Sequence, residues 1–129
     1  IEGVLVRTMA VKGEEIIVGI HNDAQFGPML LAGLGGIFVE LFRDVVLTPC
    51  PVSHEEAEDL LASLQSYQLL TGYRGEAAKD VPALVDLMVQ ISHYAAEHKD
   101  LRELDLNPVF VYDQGKGVRV IDALMVLNG

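Results

Sequence analysis

Glu103-Leu104-Asp105-Leu106-Asn107-Pro108-Val109-Phe110-Val111-Tyr112 alternates polar with apolar side chains. Alternation at period two marks a strand with one covered face. Glu103, Asp105 and Asn107 fall on one face, and Leu104, Leu106 and Phe110 on the other. Asp113-Gln114-Gly115-Lys116 is turn chemistry, and Gly117-Val118-Arg119-Val120-Ile121-Asp122 resumes the strand pattern. A two-residue loop at Gln114-Gly115 pairs Asp113 with Lys116 and, counted back along both strands, Asn107 with Asp122. Opposed side chains of an antiparallel pair share a face, with Cβ atoms roughly 5 Å apart. One divalent cation can touch oxygens on both at that spacing. A loop one residue longer shifts the register and separates them.

Upstream of this hairpin the pattern is helical. Ser53-His54-Glu55-Glu56 is a capping box, and Ala57, Leu60, Leu61, Leu64 and Gln68 follow at helical spacing. Glu55, Glu56, Glu58 and Asp59 sit where the helix dipole favours negative charge, and read as a solvated face. Asp80 caps a second helix with Pro82 in its first turn. Val81, Leu84, Val85, Met88, Ile91 and Ala95 form its buried stripe, so Met88 is core rather than a ligand. Further upstream, residues 4–9, 15–20 and 27–32 read as strands, the last two as a hairpin around Asn22-Asp23-Ala24. Gly33-Leu34-Gly35-Gly36 interrupts the pattern; residues 37–42 and 44–47 resume it, and Pro49 and Pro51 end it. Strands, then two helices, then strands predict an α+β fold: a mainly antiparallel sheet packed by two helices, one domain over residues 1–129.

Composition narrows the function. The 129 residues are half apolar, enough for a core without staples. Cys50 is the one cysteine, which excludes a disulfide scaffold. Nine Lys and Arg against nineteen Asp and Glu give a net charge of −10, which disfavours a nucleic-acid surface. No apolar run is long enough to cross a bilayer. Ile1-Glu2-Gly3 lacks an initiating Met and a basic leader, and reads as a chain entered in the middle.

Few residue patterns carry chemistry. Asn107 and Asp122 supply two hard oxygens, and Mg²⁺ takes one or two protein oxygens besides water and phosphates. Asn-Pro also commonly starts a turn, and Asp commonly ends a strand, so the pattern alone leaves both readings open. Gly33-Leu34-Gly35-Gly36 is neither a Walker A loop nor a dinucleotide fingerprint, and usually means a bulge or tight bend. Glu15 reads as an edge charge or as an acceptor for a ligand hydroxyl. His21, His54, His93 and His98 lack metal spacing, Cys50 lacks a basic activator, and Ser53 is a cap rather than a nucleophile.

Taken in order, the segments Val4-Leu5-Val6-Arg7-Thr8-Met9, Gly13-Glu14-Glu15-Ile16-Ile17-Val18-Gly19, Asp23-Ala24-Gln25-Phe26-Gly27-Pro28, Gly33-Leu34-Gly35-Gly36-Ile37-Phe38-Val39-Glu40 and Glu103-Leu104-Asp105-Leu106-Asn107-Pro108 resemble the ATP-grasp domain of NDP-forming acyl-CoA synthetases. This is the acetate–CoA ligase (ADP-forming) type, related to the succinyl-CoA synthetase β subunit. The resemblance implies the C-terminal lobe of that fold. It implies a reaction of acid, CoA and ATP to acyl-CoA, ADP and phosphate, through a phosphohistidine outside this chain. It matches Asn107 and Asp122 to the metal ligands, Glu15 to an acidic nucleotide-binding residue, and Gly35, Gly36 and Glu40 to a segment beside the nucleotide cleft. Mg²⁺ and ATP or ADP are the implied cofactors.

The implied partners are the N-terminal ATP-grasp lobe, the CoA-binding and phosphohistidine domains, CoA and a carboxylic acid. No nucleic acid and no membrane enter, an oligomer is expected, and the implied compartment is the cytoplasm. The lobe with the phosphate-binding lysine and glycine-rich loop is missing, so the chain by itself is expected to be inactive. The competing reading is a non-catalytic module, a degenerate synthetase domain that senses nucleotide or acyl-CoA beside a protein acetyltransferase.

Overall fold

The computed structural model describes residues 12–35, 44–72 and 75–128. The first two strands are β1 (Glu14–Asp23) and β2 (Gly27–Leu34), joined as an antiparallel hairpin. Asp23 builds the turn: its carboxylate accepts from the N–H groups of Gln25 at 2.7 Å and Phe26 at 3.0 Å. Those two bonds hold its carboxyl below the usual range. β3 (Val45–Pro49) pairs with β2 on the far side. After the helices come β4 (Leu101–Val111), β5 (Val118–Val120) and β6 (Ala123–Leu127). The sheet runs β3-β2-β1-β4-β5, with β6 also paired to β4, and every pairing is antiparallel. The expected strands at residues 4–9 and 37–42 lie outside the described residues.

Three helices follow β3: α1 (His54–Ala62), the single turn α2 (Gln68–Thr71) and α3 (Val81–Glu97). Ser53 and Glu56 form the expected capping box at the start of α1. The stripe anticipated through Leu64 and Gln68 breaks after Ala62. Asp44, buried at the start of β3, accounts for the break. Its two carboxylate oxygens accept from the N–H groups of Gln65 at 2.8 Å and Ser66 at 2.7 Å, and the Ser66 hydroxyl also donates to it. The backbone therefore leaves the helix with its donors satisfied. Burial pushes the Asp44 carboxyl upward, but these bonds outweigh it and leave it below its ordinary value.

α3 covers the centre of one sheet face. Leu84, Val85, Met88, Ile91 and Ala95 are buried as the stripe requires, against Ile16, Val18 and Ile20 of β1 and Leu30, Ala32 and Leu34 of β2. Burying one such side chain is worth roughly 1.5–3 kcal/mol. On β4 the buried set is Leu101, Leu104 and Leu106, then Val109 and Val111. This corrects the placement of Phe110 with Leu104 and Leu106. The alternation changes phase at the cis Asn107–Pro108 peptide, where the β1–β4 register shifts between Ile16 and Val18. A bulge puts two residues against one and turns later side chains over.

Candidate functional site

The sheet face away from α3 holds the candidate residues. Period-two alternation puts Glu15, Ile17, Gly19 and His21 of β1 there, since Ile16, Val18 and Ile20 are buried on the other side. Glu103, Asp105 and Asn107 of β4 are exposed on the same face. The hairpin register is the expected one: Val109 stands opposite Val120, Phe110 opposite Arg119, and Leu106 opposite Ala123. Between these pairs the Asn107 N–H donates to the Asp122 carbonyl at 3.1 Å, and the Ile121 N–H to the Pro108 carbonyl at 3.0 Å. Asn107 of β4 and Asp122, in the short link between β5 and β6, are therefore direct neighbours, both exposed.

The donor chemistry of this pair fits a hard cation. Asn107 has an amide oxygen. One Asp122 carboxylate oxygen accepts from the Ala123 N–H at 2.9 Å, and among the described residues nothing bonds the other. No group of three or more His, Cys, Asp or Glu could hold an ion among the described residues. The pair can thus fill part of an Mg²⁺ shell and leave positions for water and phosphate oxygens.

Glu15 and Gly35, twenty positions apart in sequence, meet. The Gly35 N–H donates to the Glu15 carbonyl at 2.8 Å, and a Cβ on Gly35 would sit 3.1 Å from that oxygen. The Glu15 side chain is half-buried, with Lys12 Nζ 3.9 Å from its carboxylate. Glu15 stands opposite Phe110, three positions along β4 from Asn107 and so about 10 Å from it at strand rise. Gly36 and Glu40 lie outside the described residues.

Two positioning contacts escape a reading of the sequence. Asp80 caps α3 through the Ala83 N–H, as expected, but its other oxygen accepts from the Gly117 N–H at 2.7 Å. It therefore locks the helix to the hairpin that carries Asn107 and Asp122. Lys79 Nζ lies 3.0 Å from Asp113 in the hairpin turn, so Asp113 is no idle turn residue. Each partner is remote in sequence, and no local signal points to it. Cys50 stays inert: burial pushes its thiol up to about 11. His54 pairs with Asp86 and His98 stacks on Tyr94, ordinary surface roles.

The sequence and fold match those of known proteins. A family model described as ATP-grasp domain matches residues 1–127. The β subunit of the ADP-forming acetate–CoA ligase II of Pyrococcus furiosus is 42% identical over 98% of this chain. The ADP-forming 4-hydroxybutyrate–CoA ligase of Nitrosopumilus maritimus is 40% identical over 95% of it. This chain spans 54% of the first protein's length and 18% of the second's. A solved dinucleotide-forming acetyl-coenzyme A synthetase 1 of Candidatus Korarchaeum cryptofilum, in complex with coenzyme A and Mg-AMPPCP, superposes with a TM-score of 0.85 at 42% identity. The match covers 92% of this chain and 55% of that one.

Proposed function

We propose a function from one premise: the chain belongs to the ATP-grasp domain family. It is the C-terminal lobe of the nucleotide- and Mg²⁺-holding part of an ADP-forming acyl-CoA synthetase. The reaction is acid + CoA + ATP ⇌ acyl-CoA + ADP + phosphate. The observation that supports this reading is the Asn107–Asp122 backbone bond, which makes an amide-bearing and a carboxylate-bearing residue direct neighbours, both exposed. Mg²⁺, when bound, supplies charge neutralisation to a transferring phosphoryl group. Asn107 and Asp122 would hold it, one neutral and one charged ligand. Glu15 would accept from a nucleotide hydroxyl, and Gly35 lets the chain lie close against Glu15, where a Cβ would be a tight contact at 3.1 Å.

The rest of the reaction belongs to partners. The other ATP-grasp lobe, the CoA-binding domain and the domain bearing the phosphorylated histidine complete the enzyme, in the same chain or another. No histidine here takes that role. The acid is selected elsewhere, since relatives named for acetate and for 4-hydroxybutyrate are 42% and 40% identical to this segment. Among the described residues no helix is long and apolar enough to cross a membrane.

The test is acid- and CoA-dependent ADP release by the intact protein over a panel of acids, for wild type and Asp122→Ala. The substitution is expected to slow phosphoryl transfer about 10²–10³-fold with an unchanged melting temperature. Wild-type rate and Mg²⁺ dependence in Asp122→Ala would remove the site. No turnover with any acid, in a protein that still binds nucleotide, would favour the sensing module.

A further inference from the structure

A cavity opens at the turn end of the β4–β5 hairpin, with a volume of about 540 Å³. Lys12, Lys79, Lys116 and Arg119 line it, four of the nine Lys and Arg in a chain of nineteen Asp and Glu. Among the described residues that line it, Asp113 is the one carboxylate. It is committed to Lys79, whose side chain is only 16% exposed. Lys12 reaches Glu15 only at 3.9 Å. Among the described residues no carboxylate pairs with Lys116 or Arg119. Glu14 also interacts with Lys79, so the cations left without a carboxylate partner among the described residues are Lys116 and Arg119, and in so acidic a protein they concentrate positive potential at this concavity.

The walls of the cavity are fixed by the fold. The Lys79 N–H donates to the Leu70 carbonyl at 2.8 Å, the Asp80 N–H to Tyr112 at 2.8 Å, and the Gln114 N–H to Ala78 at 2.9 Å. Gly13 closes one side: a Cβ there would lie 2.7 Å from the Val111 carbonyl oxygen. The site is distinct from the metal pair. Arg119 stands opposite Phe110, three positions from Asn107 and about 10 Å away at strand rise.

We propose that the cavity binds a phosphate group without a metal, carried by inorganic phosphate or by a phosphate monoester. An arginine fork beside lysine ammonium groups matches the oxygens of phosphate. The volume is that of a small-molecule site, and a concavity of this kind takes one phosphate rather than an extended polyanion. The inference shares no residue with the proposed nucleotide site and needs no cation.

The test reads the cavity locally. The intact protein is held in EDTA at constant ionic strength, with chloride, inorganic phosphate or glycerol 1-phosphate. Acetylation rates of Lys116 and of Lys99, an exposed residue outside the cavity, are measured by mass spectrometry. Saturating ligand is expected to slow Lys116 at least about fivefold, as mass action on an occupied site requires, and to leave Lys99 unchanged. Arg119→Gln is expected to abolish most of that protection. Protection by inorganic phosphate alone identifies the free ion; stronger protection by glycerol 1-phosphate identifies an ester. Equal Lys116 rates in chloride and both phosphates, or protection undiminished in Arg119→Gln, overturns the proposal. EDTA keeps this result independent of the fate of Asn107 and Asp122.

Discussion

Asp44 and Asp122 are both aspartates at the edge of a strand, yet their surroundings give them opposite tasks. Asp122 is exposed, and among the described residues nothing bonds its second oxygen. Asp44 is buried, and its oxygens are spent on Gln65 and Ser66. Its folded carboxyl titrates below the ordinary 3.8. The unfolded state therefore binds the proton first as pH falls, so the ionised group stabilises the fold above pH 3.8 and that contribution is lost as pH drops through the lower folded value. Asp44→Asn is expected to cost about 1–3 kcal/mol at neutral pH, through lost hydrogen bonds to a charged acceptor. The gap to wild type should narrow as the pH is taken below 3.8. Urea midpoints across pH measure it, and a gap independent of pH would mean that the charge plays no part.

At the scale of elements, the β4–β5 hairpin and α3 act as one unit because Asp80 serves both. One oxygen caps the helix and the other holds Gly117 of the hairpin, while the Asp80 N–H bonds Tyr112. Asp80→Ala removes a cap, typically about 1 kcal/mol, and also leaves the Gly117 N–H without its acceptor. A loss of about 2–3 kcal/mol is expected from the two together. Asp80→Asn, which keeps an acceptor oxygen, should recover part of it. Hydrogen exchange at Gly117 separates the two contributions, because a loss confined to the cap leaves that amide protected. The helix start is legible in the sequence because capping is local, and the hairpin register because turn length alone sets it. The bond to Gly117 is not legible, since its partner is far along the chain. The phase of β4 beyond Pro108 is hidden for a similar reason: the irregularity appears only in pairing with β1, between Ile16 and Val18. The cavity cations come from three separate segments, so no spacing rule brings Lys12, Lys79 and Arg119 together.

At the scale of the whole molecule, the face away from α3 carries apolar side chains with no cover among the described residues. Leu47, Leu31, Gly19, Asp105 and Leu124 stand opposite one another across β3, β2, β1, β4 and β6. Leu47 is 56% exposed and Leu124 is 59% exposed. Leucines in that state are what a second lobe would cover, and Asn107, Asp122 and Glu15 border the same face. Residues 1–129 expressed by themselves should therefore fold, bind nucleotide weakly and associate through this face, against the repulsion of a −10 charge. Calorimetry with ATP and Mg²⁺ should show no submicromolar binding if, as proposed, the segment is one lobe of the clasp. Analytical ultracentrifugation at millimolar concentration should show self-association that weakens at low salt, where charge repulsion is unscreened. Leu47→Lys with Leu124→Lys should return the segment to a monomer without loss of stability, since both side chains are more than half exposed. A wild-type segment monomeric at every salt concentration, or one that binds nucleotide as tightly as an intact enzyme, would show that this face needs no second lobe.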